Sequence, residues 1–148
     1  MKKPLWAGLK LPLKTSKEIV WSVLTEPKYT RQYMYNCALK CNWSAGNEAQ
    51  WVEQHPNGSE TVHVRGELLE FAPYSRLLFT IFHQGNNVLN GQSSKLCFVI
   101  SSHNEGVILT IKQGDFSSFP QAEEIHAECQ RGWEFVKKDL IATCYKIT

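Results

Sequence analysis

Residues 120–145 read PQAEEIHAECQRGWEFVKKDLIATCY. Apolar side chains fall at Ala122, Ile125, Cys129, Trp133, Val136, Leu140 and Cys144, in steps of three and four. That spacing places them on one stripe of a long α-helix. Glu124, Glu128, Arg131, Lys138 and Asp139 take the opposite, water-facing side. A helix with so continuous a stripe needs a broad apolar partner. Most of the preceding chain changes character every second residue, so the expected partner is a curved β-sheet.

Moving back from the helix, residues 93–102 and 107–113 read as strands joined by His103-Asn104-Glu105-Gly106. Residues 76–83 form another, with Leu77, Phe79 and Ile81 on one side. The glycine- and asparagine-rich stretch 84–91 reads as a loop, either at a cavity mouth or an ordinary surface hairpin. Residues 61–71 form a long strand in which Gly66 marks a bulge or bend. Asn57-Gly58 is a hairpin signal before it. Residues 48–54 alternate Ala49, Trp51 and Glu53 against Glu48, Gln50, Val52 and Gln54, and residues 39–43 precede them as a further strand. Upstream, Thr15 and Glu18 read as a capping box opening a helix that stops before Pro27. Pro27 suits the first turn of a second short helix, 28–33. Leu5, Ala7, Leu9, Leu11 and Leu13 alternate as an opening strand. With no βαβ alternation the sheet is antiparallel. The expected class is α+β: a curved antiparallel sheet wrapped around a long C-terminal helix, with two short helices after the first strand, all one domain over residues 1–148.

Composition narrows the function classes. The net charge is +2 and the basic residues are scattered, which describes a solvated surface rather than a nucleic-acid face. No apolar run is long enough to span a membrane. Lys10 and Pro12 interrupt the apolar start, so no signal peptide is read and the chain is expected to be cytoplasmic. The five cysteines form no regular framework and read as reduced thiols. Cys37 and Cys41 lack a matching second pair, so no metal is expected, and no glycine-rich loop opens a helix for a nucleotide cofactor. There is no G-x-S-x-G elbow and no cysteine set beside a fixed His-Asp pair.

The aromatics Trp21, Tyr33, Trp43, Trp51, Phe79, Phe98, Phe116 and Trp133 lie on elements able to face inward. Each suits a filled core, contributing about 1.5–3 kcal/mol on burial. As a group they also suit a concave ligand site. The polar candidates are His63, Arg65, His83 and Gln113, all in strands whose register decides which way they face. His83 follows Leu77, Phe79 and Ile81 at alternate positions, which points it inward.

Several stretches carry a resemblance. KTSKEIVWSVLTEPKYTRQYM looks like the first helix of the START-related helix-grip superfamily (SRPBCC), in the branch named after the activator of the heat-shock protein 90 ATPase. GELLEFAPYSRLLFT is similar to that branch's G-x-(V/L)-x-E-x-x-P hairpin, EGVILTIKQGDF to its following strand, and GWEFVKKDL to the start of its grip helix. The chain departs from the pattern at Tyr33, where members usually carry Trp, and at Ala45-Gly46, often Gly-Gly. The resemblance implies an apolar cavity between sheet and helix, and many domains of this fold pair up as dimers. It implies no single activity, because the scaffold hosts binders, transfer proteins, cyclases and chaperone regulators.

Three functions stay open, in this order. The first is binding of a small, largely apolar molecule in a cavity lined from Tyr33, Trp43, Trp51, His63, Phe79, His83, Phe98, Phe116, Ile125, Cys129 and Trp133, with no catalysis. The second is interaction with a chaperone. The third is cyclase or hydratase chemistry using a cavity His or Tyr. Within the helix, the part from Ile125 to Cys129 is expected to meet the open end of the sheet, and the part from Trp133 to Leu140 to seal the core. Trp133→Ala should therefore cost about 3–5 kcal/mol in urea unfolding; a loss below about 1 kcal/mol would place Trp133 in solvent.

Overall fold

The computed structural model describes residues 3–83 and 92–148. The order is β1 (Ala7–Leu13), α1 (Lys17–Thr25), α2 (Pro27–Tyr33), β2 (Cys37–Cys41), β3 (Glu48–Gln54), β4 (Glu60–Ala72), β5 (Arg76–Phe82), β6 (Ser93–His103), β7 (Gly106–Gly114) and α3 (Ala122–Lys146). Seven strands form one antiparallel sheet in the order β1-β7-β6-β5-β4-β3-β2. Consecutive strands from β2 to β7 are neighbours, and β1 joins at the β7 edge. The two helices α1 and α2 carry the chain between the two edge strands. The fold is the expected α+β helix-grip, with the sheet curled around α3.

Residues paired across strands share a face, so the register defines the concave side. Leu9, Leu11 and Leu13 pair with Ile111, Leu109 and Val107. The row continues through Leu96, Phe98 and Ile100, then Phe79 and Leu77. Phe79, Leu77, Leu68 and Leu109 are fully buried. The helix meets this row with Trp133, Val136, Leu140 and Cys144 buried. Ile125 and Cys129, nearer its start, are only half-buried.

The edges of a sheet leave backbone groups unpaired, a route to unwanted association. Here side chains cover both. Gln130 accepts the Gly8 N–H at 2.8 Å and donates to the Gly8 carbonyl at 2.9 Å, as a neighbouring strand would. On the other edge, Thr30 of α2 accepts the Leu39 N–H at 2.8 Å. Lys40 and Glu60 add an exposed ion pair at 2.7 Å.

Local details differ from expectation. Ser16, not Thr15, caps α1, accepting the Ile19 N–H at 3.2 Å. The capping box with Glu18 does not form, because Thr15 is buried and its hydroxyl bonds that of Thr148 at 2.8 Å. Strand β2 begins at Cys37 and ends at Cys41, leaving Trp43 beyond the ladder. Gly66 is no bulge. It faces β5 so closely that a Cβ would stand 2.4 Å from the Thr80 carbonyl oxygen. The irregularities of β4 lie on either side, opposite Trp51/Val52 and between Leu68 and Glu70. The loop expected over 84–91 lies outside the described residues.

Gly8 marks the tightest approach of β1 to β7, since a Cβ there would stand 1.8 Å from the Ile111 carbonyl oxygen. Gly8→Ala must push the edge strand away and should cost about 1–3 kcal/mol in urea unfolding; an unchanged midpoint would contradict this close approach.

Candidate functional site

Because α3 fills only part of the curl, space remains beneath its middle, at Cys129, Gly132, Trp133 and Val136. Among the described residues a cavity of about 610 Å³ opens there. Met34, Trp51, Val64, Ile81, Leu96 and Val136 supply apolar lining. Glu53, His63, His83 and Gln113 add polar groups. Such a mixture, apolar walls with a few polar atoms, is that of small-molecule sites.

Of the residues singled out from sequence, Trp51, His63, His83, Gln113, Cys129 and Trp133 border this cavity. The others lie elsewhere. Tyr33 is buried in the core and its hydroxyl donates to the Val23 carbonyl at 2.9 Å. Burial pushes its pKa up, so it is a neutral phenol. Trp43 stacks on Phe71, ring centres 5.6 Å apart, and meets Phe79 edge-on at 6.3 Å. Phe79 packs against Trp51 at 5.4 Å and Phe98 at 6.3 Å, and Phe98 against Trp133 at 6.1 Å. In this aromatic column Trp51 and Trp133 border the cavity, and Trp43, Phe71, Phe79 and Phe98 stand behind them. Phe116 is fully buried beside His83, and Ile125 is half-buried outside the lining. Arg65 points away from the cavity and pairs with Glu48 at 3.2 Å.

Two polar clusters face the space. At the mouth, His63 Nε2 lies 2.8 Å from Glu53 Oε1, and His55 Nδ1 4.0 Å from Glu53 Oε2. The hydrogen bond from His63 holds the Glu53 carboxyl below the usual carboxylate range. His63 reaches this position as the extra residue of a bulge: Trp51 pairs with Val64 and Val52 with Val62, leaving His63 unpaired.

Along the wall, Gln113 of β7 accepts from Trp133 Nε1 at 3.1 Å and from Cys129 Sγ at 3.3 Å. Its amide nitrogen donates to Ser94 Oγ at 3.1 Å, and Ser94 Oγ lies 2.9 Å from His83 Nε2. Burial lowers the His83 pKa below its ordinary value of 6.5. Burial also pushes the Cys129 thiol up to about 12 and Cys144 up to about 11. Both remain thiols at neutral pH, so neither is an activated nucleophile. All five cysteines are free. Among the described residues no three His, Cys, Asp or Glu side chains converge as a metal site would require.

Glu53, which lines the cavity, and Ser94, which bonds the lining residues Gln113 and His83 from behind, are residues that the sequence reading passed over. Their signal was parity: Glu53 alternates with Ala49 and Trp51, and Ser94 with Leu96 and Phe98. Tyr35, also missed, adopts a left-handed φ of 52°. Its hydroxyl donates to the Gly132 carbonyl at 3.1 Å, and its ring stacks on Phe135 at 5.3 Å. No periodicity announces such a turn residue.

With this geometry in hand, comparison with known proteins is informative. A family model described as Activator of Hsp90 ATPase homolog 1-like protein matches residues 14–144. The chain belongs to that family. Its Activator of Hsp90 ATPase homolog 1-like fold is one that generally encloses hydrophobic ligands. A search of curated proteins returned no match. Among solved structures, protein MLL2253 from Mesorhizobium loti superposes with a TM-score of 0.78 at 15% identity, over 97% of this chain and 98% of that one. CalU16 from Micromonospora echinospora gives 0.69 at 15% identity, over 97% and 86%. DynU16, from the dynemicin biosynthetic locus, gives 0.70 at 18% identity, over 95% of this chain and 47% of its own. At these identities the likeness concerns the fold. No helix of the described residues is long and apolar enough to cross a membrane.

The His83 environment has a pH signature. Its folded pKa lies below the unfolded value, so the unfolded chain binds the proton more readily. The resulting stability is fully present above the unfolded value near 6.5 and declines as pH falls through it toward the folded pKa. Between pH about 7.5 and 5 the wild type should lose more thermal stability than His83→Gln. Parallel losses would show that His83 titrates alike in both states.

Proposed function

We propose that the chain binds a small, largely apolar molecule in the cavity between the sheet and the middle of α3. The observation that carries this reading is the cavity of about 610 Å³ beneath a helix whose C-terminal half already seals the core. A space of that size, lined by Met34, Val64, Leu96 and Val136, gives up dispersion contacts that an apolar guest restores. The fold class and the family agree with it.

A second reading, acid–base chemistry of cyclase or hydratase type, draws on the Glu53–His63 pair, a carboxylate orienting an imidazole at the mouth. It ranks below binding because the pair is partly solvated, with side-chain exposures of 30% and 47%. The chaperone reading draws only on the family's name.

A panel of apolar compounds should contain members that raise the melting temperature. At a hundredfold excess over Kd the gain is about 2.7 kcal/mol, or roughly 5–10 °C for a domain of this size. Val64→Trp places an indole in the cavity from a half-buried wall position. It should fold and lose that response. No shift with any compound, or an undiminished shift in Val64→Trp, would sink the proposal.

A further inference from the structure

The wall relay has a direction set by its chemistry. An indole N–H can only donate. Trp133 Nε1 therefore orients the Gln113 amide, with Oε1 toward α3 at 3.1 Å and Nε2 toward Ser94 at 3.1 Å. The Cys129 thiol, donating to the same oxygen at 3.3 Å, reinforces that orientation. Ser94 Oγ accepts from the amide, and its own hydrogen requires an acceptor, because Ser94 is only 3% exposed. Among the described residues, the acceptor within reach is His83 Nε2 at 2.9 Å. Nε2 thus holds the lone pair, and the neutral imidazole keeps its proton on Nδ1. The ring is fixed edge-on between Phe116 at 6.2 Å and Phe119 at 5.4 Å. No described residue accepts from Nδ1, and no buried side-chain polar atom among the described residues lacks a partner. Among the described residues Nδ1 thus has no acceptor, and it belongs to a residue that lines the cavity.

We propose that His83 Nδ1–H is the recognition donor of the cavity, selecting apolar molecules that carry a neutral oxygen acceptor of the ketone, ester or quinone kind. In this arrangement Trp133, Gln113 and Ser94 are positioning residues. They deliver a chain of polarised hydrogen bonds to one ring and hold it in the donating tautomer. A hydrocarbon of equal shape satisfies the apolar walls and leaves Nδ1–H unpaired, which separates the two by about tenfold in Kd. Lowering of the His83 pKa by burial keeps the ring in the neutral form that this scheme uses. The inference rests on the cavity-binding reading and narrows it to one ligand chemistry.

The test uses the full chain and two probes of matched shape, 2-acetonaphthone and 2-ethylnaphthalene. Calorimetry should show the ketone binding about tenfold more tightly in the wild type. His83→Phe should keep hydrocarbon binding and lose the preference. Long-range proton–nitrogen correlation on histidine-labelled protein should show the Nδ1–H tautomer of His83. Ser94→Ala should replace it with a mixture and weaken the ketone preference in step. An Nε2–H tautomer in the wild type would overturn the relay whatever binds. Equal affinity for the two probes would overturn this inference and leave the cavity reading standing. Binding of neither probe would count against both.

Discussion

A curled antiparallel sheet with two free edges cannot close on itself, and the long helix α3 supplies what closure would have provided. Its C-terminal half inserts Trp133, Val136 and Leu140 into the concave row, and its Gln130 pairs with the Gly8 backbone at the β1 edge. The other edge is met by Thr30 of α2. Every other feature follows from how far the helix fills the curl. The cavity lies against the middle of its stripe, at Cys129, Trp133 and Val136, and Leu140 and Cys144 seal the core beyond it. The hydrophobic contact that stabilises the fold and the cavity beside it are therefore served by one helix.

Much of this was legible in the chain. The stripe from Ala122 to Cys144 is long and regular, and period-two alternation with hairpin turns brackets most strands, so architecture followed from patterning alone. What escaped was settled by single long-range contacts. Thr15 and Ser16 are neighbouring hydroxyl residues; which one caps α1 depends on Thr148, more than a hundred residues away. Strand β2 starts earlier than its composition indicated, where Thr30 receives the Leu39 N–H. Gly66 answers to the Thr80 carbonyl opposite rather than to its own strand.

The site was legible in a different measure. Aromatic residues are equally at home in a packed column and in a cavity lining, and composition cannot separate Phe79 and Phe98 from Trp51 and Trp133. Polar residues discriminate better. His83, Ser94 and Gln113 occupy inward positions in strands otherwise apolar on that face, where an unpaired group would be costly. They have solved that cost among themselves, and the solution runs through an indole that does not titrate. The family to which the chain belongs says little about this set, since likeness at 15–18% identity concerns the scaffold.

The bulge at His63 joins two properties usually considered apart. By adding one residue opposite the Trp51–Val52 step it increases the local bend of β4, and it also breaks the alternation that would have turned this side chain outward. Curvature and chemistry at the mouth thus come from a single insertion and are inherited together. Removing one residue from this stretch would not merely delete an imidazole. It would straighten the strand and exchange the inward and outward faces of all that follows until the next irregularity.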